Sequence, residues 1–209
     1  MSQEITVVEV KQAIADPSTV GLASFGIALF TLSFYNAGII GPNSLSVIAP
    51  LALLTGVIHF FAALTGFKKN ELFTALVFGI YGMFWFTYGL LQTLVAAKVF
   101  TLDAGALLIL LIAYTIFTAY VLISSLVTNV AVILTLAVLL LVFLLLDFGL
   151  APVLSGGEPK GTLLTWGGYV GIVDALLALY LSAGGLLGAM YGRSVLPVGP
   201  VQRAAQKAA

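Results

Sequence analysis

The chain has 209 residues, of which 61% are hydrophobic and 8% charged, against about 25% charged in an ordinary soluble domain. A soluble fold of this size could not bury so much apolar surface, because the buried fraction is limited by chain length; lipid is the solvent for most of it. The formal net charge of +0 points to neither nucleic acid nor an acidic partner, and the absence of cysteine removes disulfides and thiolate metal sites.

Residues 1–15, MSQEITVVEVKQAIA, carry three charges and no long apolar core, so a cleaved signal peptide is not expected. Asp16 and Pro17 then read as the cap and first turn of a helix. With about 20 residues per span as the ruler, polar punctuation cuts the rest into six apolar segments. They run over 20–40, 47–67, 72–96, 104–126, 130–150 and 163–191. The expected organisation is a cytoplasmic segment over 1–19, a six-helix transmembrane domain over 20–192 and a cytoplasmic tail over 193–209. The fold class is an all-α integral membrane protein, multi-pass, in an inner or plasma membrane.

Six spans put both termini on one side of the bilayer. That side carries Lys11, Lys68, Lys69, Arg193, Arg203 and Lys207, and the other only Lys98 and Lys160. The positive-inside rule therefore makes both termini cytoplasmic. Small residues recur at packing spacing: Gly167, Gly171 and Ala175; Gly184, Gly188 and Gly192; Ala75, Gly79 and Gly82. Such faces allow close helix contact, within a subunit or between subunits.

The first span reads as a pore or binding-site helix. Gly21 and Gly26 thin one of its sides, and Phe25 and Asn36 put an aromatic ring and an amide within the membrane. Other polar groups inside the spans are few, chiefly His59, Asp147 and Asp174, and intramembrane ionisable residues are functional candidates. His59 reads as a proton relay or as a neutral histidine bonded to a neighbouring helix, and the second reading is favoured. Asp147 is expected to reach interfacial water. Asp174, nearer mid-span, reads equally as a titrating acid and as a structural one. In the third span, Tyr88 and Trp85 fit an aromatic belt at an interface. Tyr81 lies deeper, and its hydroxyl needs a partner or a cavity. A Phe and a Tyr facing one pathway would make a gate that closes by dewetting; simple core packing explains the same rings.

Catalysis has little support. HExxH, GxSxG and Walker signatures are absent, and one histidine without cysteine makes a metal site or a nucleophile–base pair a poor fit. No cofactor is implied.

Taken together, several blocks resemble the acetate uptake transporter (succinate–acetate permease) family. DPSTVGLASFG is similar to that family's NPAPLGLxxFG signature. YNAG, FKKN, YGMFWFTYG, GGYVGI and YGRSVLPVG follow in order across nearly the whole chain. The resemblance implies six-helix subunits assembled as a homo-hexamer, each with its own pathway for acetate and related small monocarboxylates, with succinate as a further candidate, by proton-linked symport or as a channel. It also implies a hydrophobic constriction of Phe25, Tyr81 and Leu139. Asp16, Pro17, Gly21 and Leu22 would form a cytoplasmic-side motif, and Asn36 a polar group further along. Asp174 and His59 stand as candidates to exchange a proton. The chain departs from the pattern at Asp16, Thr19 and His59, and at Gly66 and Gly185, where relatives often carry Glu. Two other readings stay open: a channel for a small neutral solute such as ammonia or an amide, and a non-transporting membrane scaffold.

Overall fold

The computed structural model describes residues 14–199. The arithmetic of Lys11, Arg203 and Lys207 lies outside them, as does the reading of residues 1–13. The described residues form six long helices: α1 (Pro17–Asn36), α2 (Leu45–Lys68), α3 (Leu72–Ala96), α4 (Ala104–Ser125), α5 (Val130–Leu150) and α6 (Gly161–Tyr191). Short 3-10 turns, Pro42–Ser44 and Ala151–Ser155, precede α2 and follow α5. All six helices are long and apolar enough to cross a membrane. At about 1.5 Å per residue even a 20-residue helix spans about 30 Å.

α1 starts and stops earlier than the hydrophobic pattern implies, and local chemistry explains both ends. The Asp16 carboxylate accepts from the Ser18 N–H at 2.9 Å and Pro17 occupies the first turn. At the far end Gly38 adopts φ +71, a left-handed turn that an L side chain resists, so Ile39 and Ile40 fall outside the helix. α6 ends the same way, at Gly192 with φ +64.

α2 and α3 pack as a hairpin, α1 packs on α2 and α6, and α5 lies between α6 and α4. The helices thus run in the spatial order α3, α2, α1, α6, α5, α4. The remaining seam, between α3 and α4, is filled by rings: Phe84 meets Tyr114 at 4.9 Å and Tyr81 meets Phe117 at 5.1 Å. Elsewhere small residues bring backbones together. A Cβ at Gly89 would lie 2.6 Å from the Leu53 nitrogen, and one at Gly56 would lie 2.7 Å from the Phe86 nitrogen.

Gly167 and Gly171 do serve helix packing, against Leu146 of α5 and Ser33 of α1. Gly184 does not. It faces Leu196 and Val198, because the segment after α6 folds back along that helix. This segment is anchored by Tyr180, whose hydroxyl donates to the Pro197 carbonyl at 2.8 Å. Its Val198 and Gly199 carbonyls accept from the Ala131 and Val130 N–H groups at 3.1 and 2.8 Å. The first turn of α5 is therefore capped from the far end of the chain, together with the Asn129 side chain, which accepts from the Val132 N–H at 3.0 Å.

Candidate functional site

Two cavities lie end to end inside the helix ring. The larger, about 230 Å³, is lined by the first turns of α1, α3 and α5 and by the later part of α6, on the face that holds both described ends of the chain. The smaller, about 30 Å³, lies toward the other face among Leu32, Ser33 and Asn36 of α1, Trp85 of α3 and Leu146 of α5. It has room for little more than a water molecule. Three residues line both cavities: Phe25, Tyr81 and Leu139. They form the partition between them. All three are buried, and the Phe25 and Tyr81 rings stand 6.3 Å apart at 52°.

The partition is held from behind. Trp85 packs edge-on against Phe25 at 6.0 Å and is 1% exposed, so it is a core residue supporting the ring and not a member of an interfacial belt. That is a correction to the sequence reading, in which counting aromatics could not tell which face of α3 each one takes. The Tyr81 hydroxyl is 2.8 Å from Thr118 Oγ1, and Thr118 in turn donates to the Tyr114 carbonyl at 2.7 Å. Thr118 has one proton and gives it to a carbonyl, so Tyr81 is the donor in this pair.

His59 lies on the larger cavity's wall, 1% exposed, with its ring 5.2 Å from Phe78 and 6.4 Å from Phe25. Its Nδ1 is 2.9 Å from the Thr55 carbonyl and 3.2 Å from Ser24 Oγ. Ser24 belongs to α1, so His59 is bonded to a neighbouring helix and also faces the cavity.

The remaining candidates divide. Leu22 lines the larger cavity and Asn36 the smaller. Asp16 and Pro17 instead line a shallow groove between α1 and α2, beside Val20 and Phe61, which are exposed. Gly21 meets the Phe78 ring and serves packing. Asp174 is 0% exposed, lines neither cavity, and leaves both carboxylate oxygens without a partner among the described residues. Asp147 does not reach water along its own helix. It is buried and accepts from the Thr115 hydroxyl of α4 at 2.5 Å. The sequence reading passed over Thr118 and Ser24, whose partners are 37 and 35 residues away and leave no local pattern.

Comparison with known proteins agrees with this architecture. The model of the GPR1/FUN34/yaaH family matches residues 3–201, and the chain belongs to that family. It is 28% identical to the succinate-acetate/proton symporter SatP of Escherichia coli K12, over 89% of this chain and 96% of that one. It is 30% identical to ammonia transport outward protein 3 of Saccharomyces cerevisiae, over 79% of this chain and 60% of that one. Among solved structures, that of the bacterial acetate channel SatP superposes with a TM-score of 0.80 at 25% identity, covering 90% of this chain and all of that one. The chain is a multi-pass membrane protein.

Proposed function

We infer that this protein carries acetate and related small monocarboxylic acids across a cell membrane, linked to protons, through the axis of the helix ring. It is a membrane transport protein and not an enzyme, as its relatives' transporter and channel names indicate. The observation that carries the reading is the pair of cavities meeting, among the described residues, at Phe25, Tyr81 and Leu139 alone. An apolar partition of this kind passes small solutes by size and partial dehydration and closes when dry. Leu22 and His59 would line the approach and Asn36 the far side. Both termini would be cytoplasmic, by the distribution of Lys and Arg. The subunit would assemble as a homo-hexamer through part of its exposed apolar flank, the rest facing lipid.

The test is uptake of labelled acetate into proteoliposomes, with and without an inward proton gradient, against protein-free vesicles. Gradient-driven uptake above the control is the expected result. Flux that does not accumulate would describe a passive channel, and none above control would remove acetate as the substrate. The ammonia transport name among the relatives keeps a second reading, a small neutral solute. Protein-dependent ammonia or amide flux without acetate flux would favour it.

A further inference from the structure

Among the described residues, the side chains at the inner end of the larger cavity have spent their hydrogen-bond donors within the protein. A carbonyl oxygen only accepts, so the His59 Nδ1 that lies 2.9 Å from the Thr55 carbonyl carries the ring proton. The Ser24 hydroxyl beside it spends its own proton on the Gly21 carbonyl at 2.9 Å. Tyr81 gives its proton to Thr118, away from the cavity. The Thr135 hydroxyl, one turn before Leu139, donates to the Ala131 carbonyl at 2.9 Å. What remains is a lone pair. His59 Nε2 makes no hydrogen bond among the described residues, and unlike the Asp174 oxygens it is not sealed from the cavity that His59 lines. Unspent donors among the lining side chains, Thr74 and the Asn129 amide, belong to the mouth. They lie about two or more helical turns from Tyr81 and Leu139 along their helices. The first N–H groups of α5, which could have met an anion, are taken by Asn129, Val198 and Gly199.

We propose that this inner end takes its solute as a hydrogen-bond donor, the undissociated carboxylic acid and not the carboxylate, with His59 Nε2 as the acceptor that receives the acid O–H. This deepens the reading of the protein as a monocarboxylate transporter and rests on it. A carboxylate arriving there would leave its charge with no donor in a dry site, which is costly. The neutral acid would meet a fixed acceptor and then the apolar partition. The proton travels on the solute, and no side chain need shuttle it. The groups that face the imidazole are Ser24 and Phe25 of α1, Thr55 of α2, and Phe78 and Gly82 of α3. None of these is ionisable; among the described residues Tyr81 is the other titratable one on the cavity wall.

The experiment is protein-dependent acetate flux in proteoliposomes at constant total acetate, as pH and an imposed membrane potential are varied separately. A free carboxyl has a pKa near 4, so between about pH 6 and about pH 8 flux should fall about tenfold per unit. It should not respond to the potential. His59→Gln, which adds an N–H donor, should admit the anion, flattening the pH profile and making flux sensitive to the potential. Wild-type flux that follows total acetate or the potential would overturn the proposal while leaving monocarboxylate transport standing. A His59→Gln protein that transports with an unchanged pH profile would overturn the assignment to His59. No protein-dependent acetate flux at any pH would overturn both readings.

Discussion

Tyr81 of α3 donates its hydroxyl proton to Thr118 of α4 across 2.8 Å, and this bond turns the hydroxyl toward a residue that lines neither cavity. Tyr81, its neighbour Phe25 and Leu139 are what the two cavities share. Shape and polarity at this position are therefore separable by mutation. Tyr81→Phe keeps the ring and loses one buried hydrogen bond, for a cost of about 1 kcal/mol in stability. Thermal unfolding in detergent should register that loss, while discrimination against larger acids stays as it was. Tyr81→Ala removes the partition itself and should let longer monocarboxylates through in swelling assays. A Tyr81→Ala protein with unchanged selectivity would show that these three side chains do not form the constriction.

Asp174 offers a different test. Its carboxyl is fully enclosed with neither oxygen bonded to any of the described residues, a burden of about 1–3 kcal/mol for an unpaired buried polar group. Asp174→Leu should raise the melting temperature of the detergent-solubilised protein. If the proton rides on the solute, Asp174→Asn leaves the proton linkage of acetate uptake intact. Loss of gradient-driven uptake in a well-folded Asp174→Asn protein would assign the proton to Asp174 instead.

Gly168 marks where α6 touches the end of α1. A Cβ there would strike the Ala37 nitrogen and sit 2.6 Å from the Asn36 carbonyl carbon. Both are backbone atoms, which cannot rotate aside. Gly168→Ala should cost about 1–3 kcal/mol as overpacking, read as a lower unfolding midpoint. Gly161→Ala, which meets nothing within 4 Å, is the matched control and should be close to neutral.

Tyr180→Phe removes the bond that holds Pro197 against α6. The carbonyls of Val198 and Gly199 should then cap α5 less persistently. Amide hydrogen exchange at Val130 and Ala131 should speed up, with mid-helix amides of α5 unaffected. Unchanged exchange at those two residues would mean the cap holds without Tyr180.

Much of the fold was legible because charged or turn-forming residues bracket the spans. α3 and α5 occupy 72–96 and 130–150, as the pattern of polar punctuation implies. α1 was less legible, since hydropathy continues through Ile39 and Ile40 while the backbone turns at Gly38. Of the candidate site, Phe25, Tyr81 and Leu139 come from three helices, and only the family resemblance put Leu139 with the others. Nothing in the sequence separated Asp16 and Pro17, which border an outer groove, from Leu22, which lines the cavity. Which face of a nearly all-apolar helix turns inward is decided by ring packing and close backbones, and periodicity carries little of that. Gly66 shows the same limit: a Cβ there would sit 2.9 Å from the Ala75 nitrogen, so the tight α2–α3 turn has no place for the Glu that the family resemblance implies at this position.

The hydrogen bonds from Val130 and Ala131 to Gly199 and Val198 also impose an order in time. A ribosome delivers α5 well before the residues that cap it, so the entry turn of α5 stays unfinished until α6 has been made and the chain has doubled back along it. Completion of the cavity mouth thus waits on residues made after α6, and a chain cut short before Val198, however well inserted, carries an unfinished mouth.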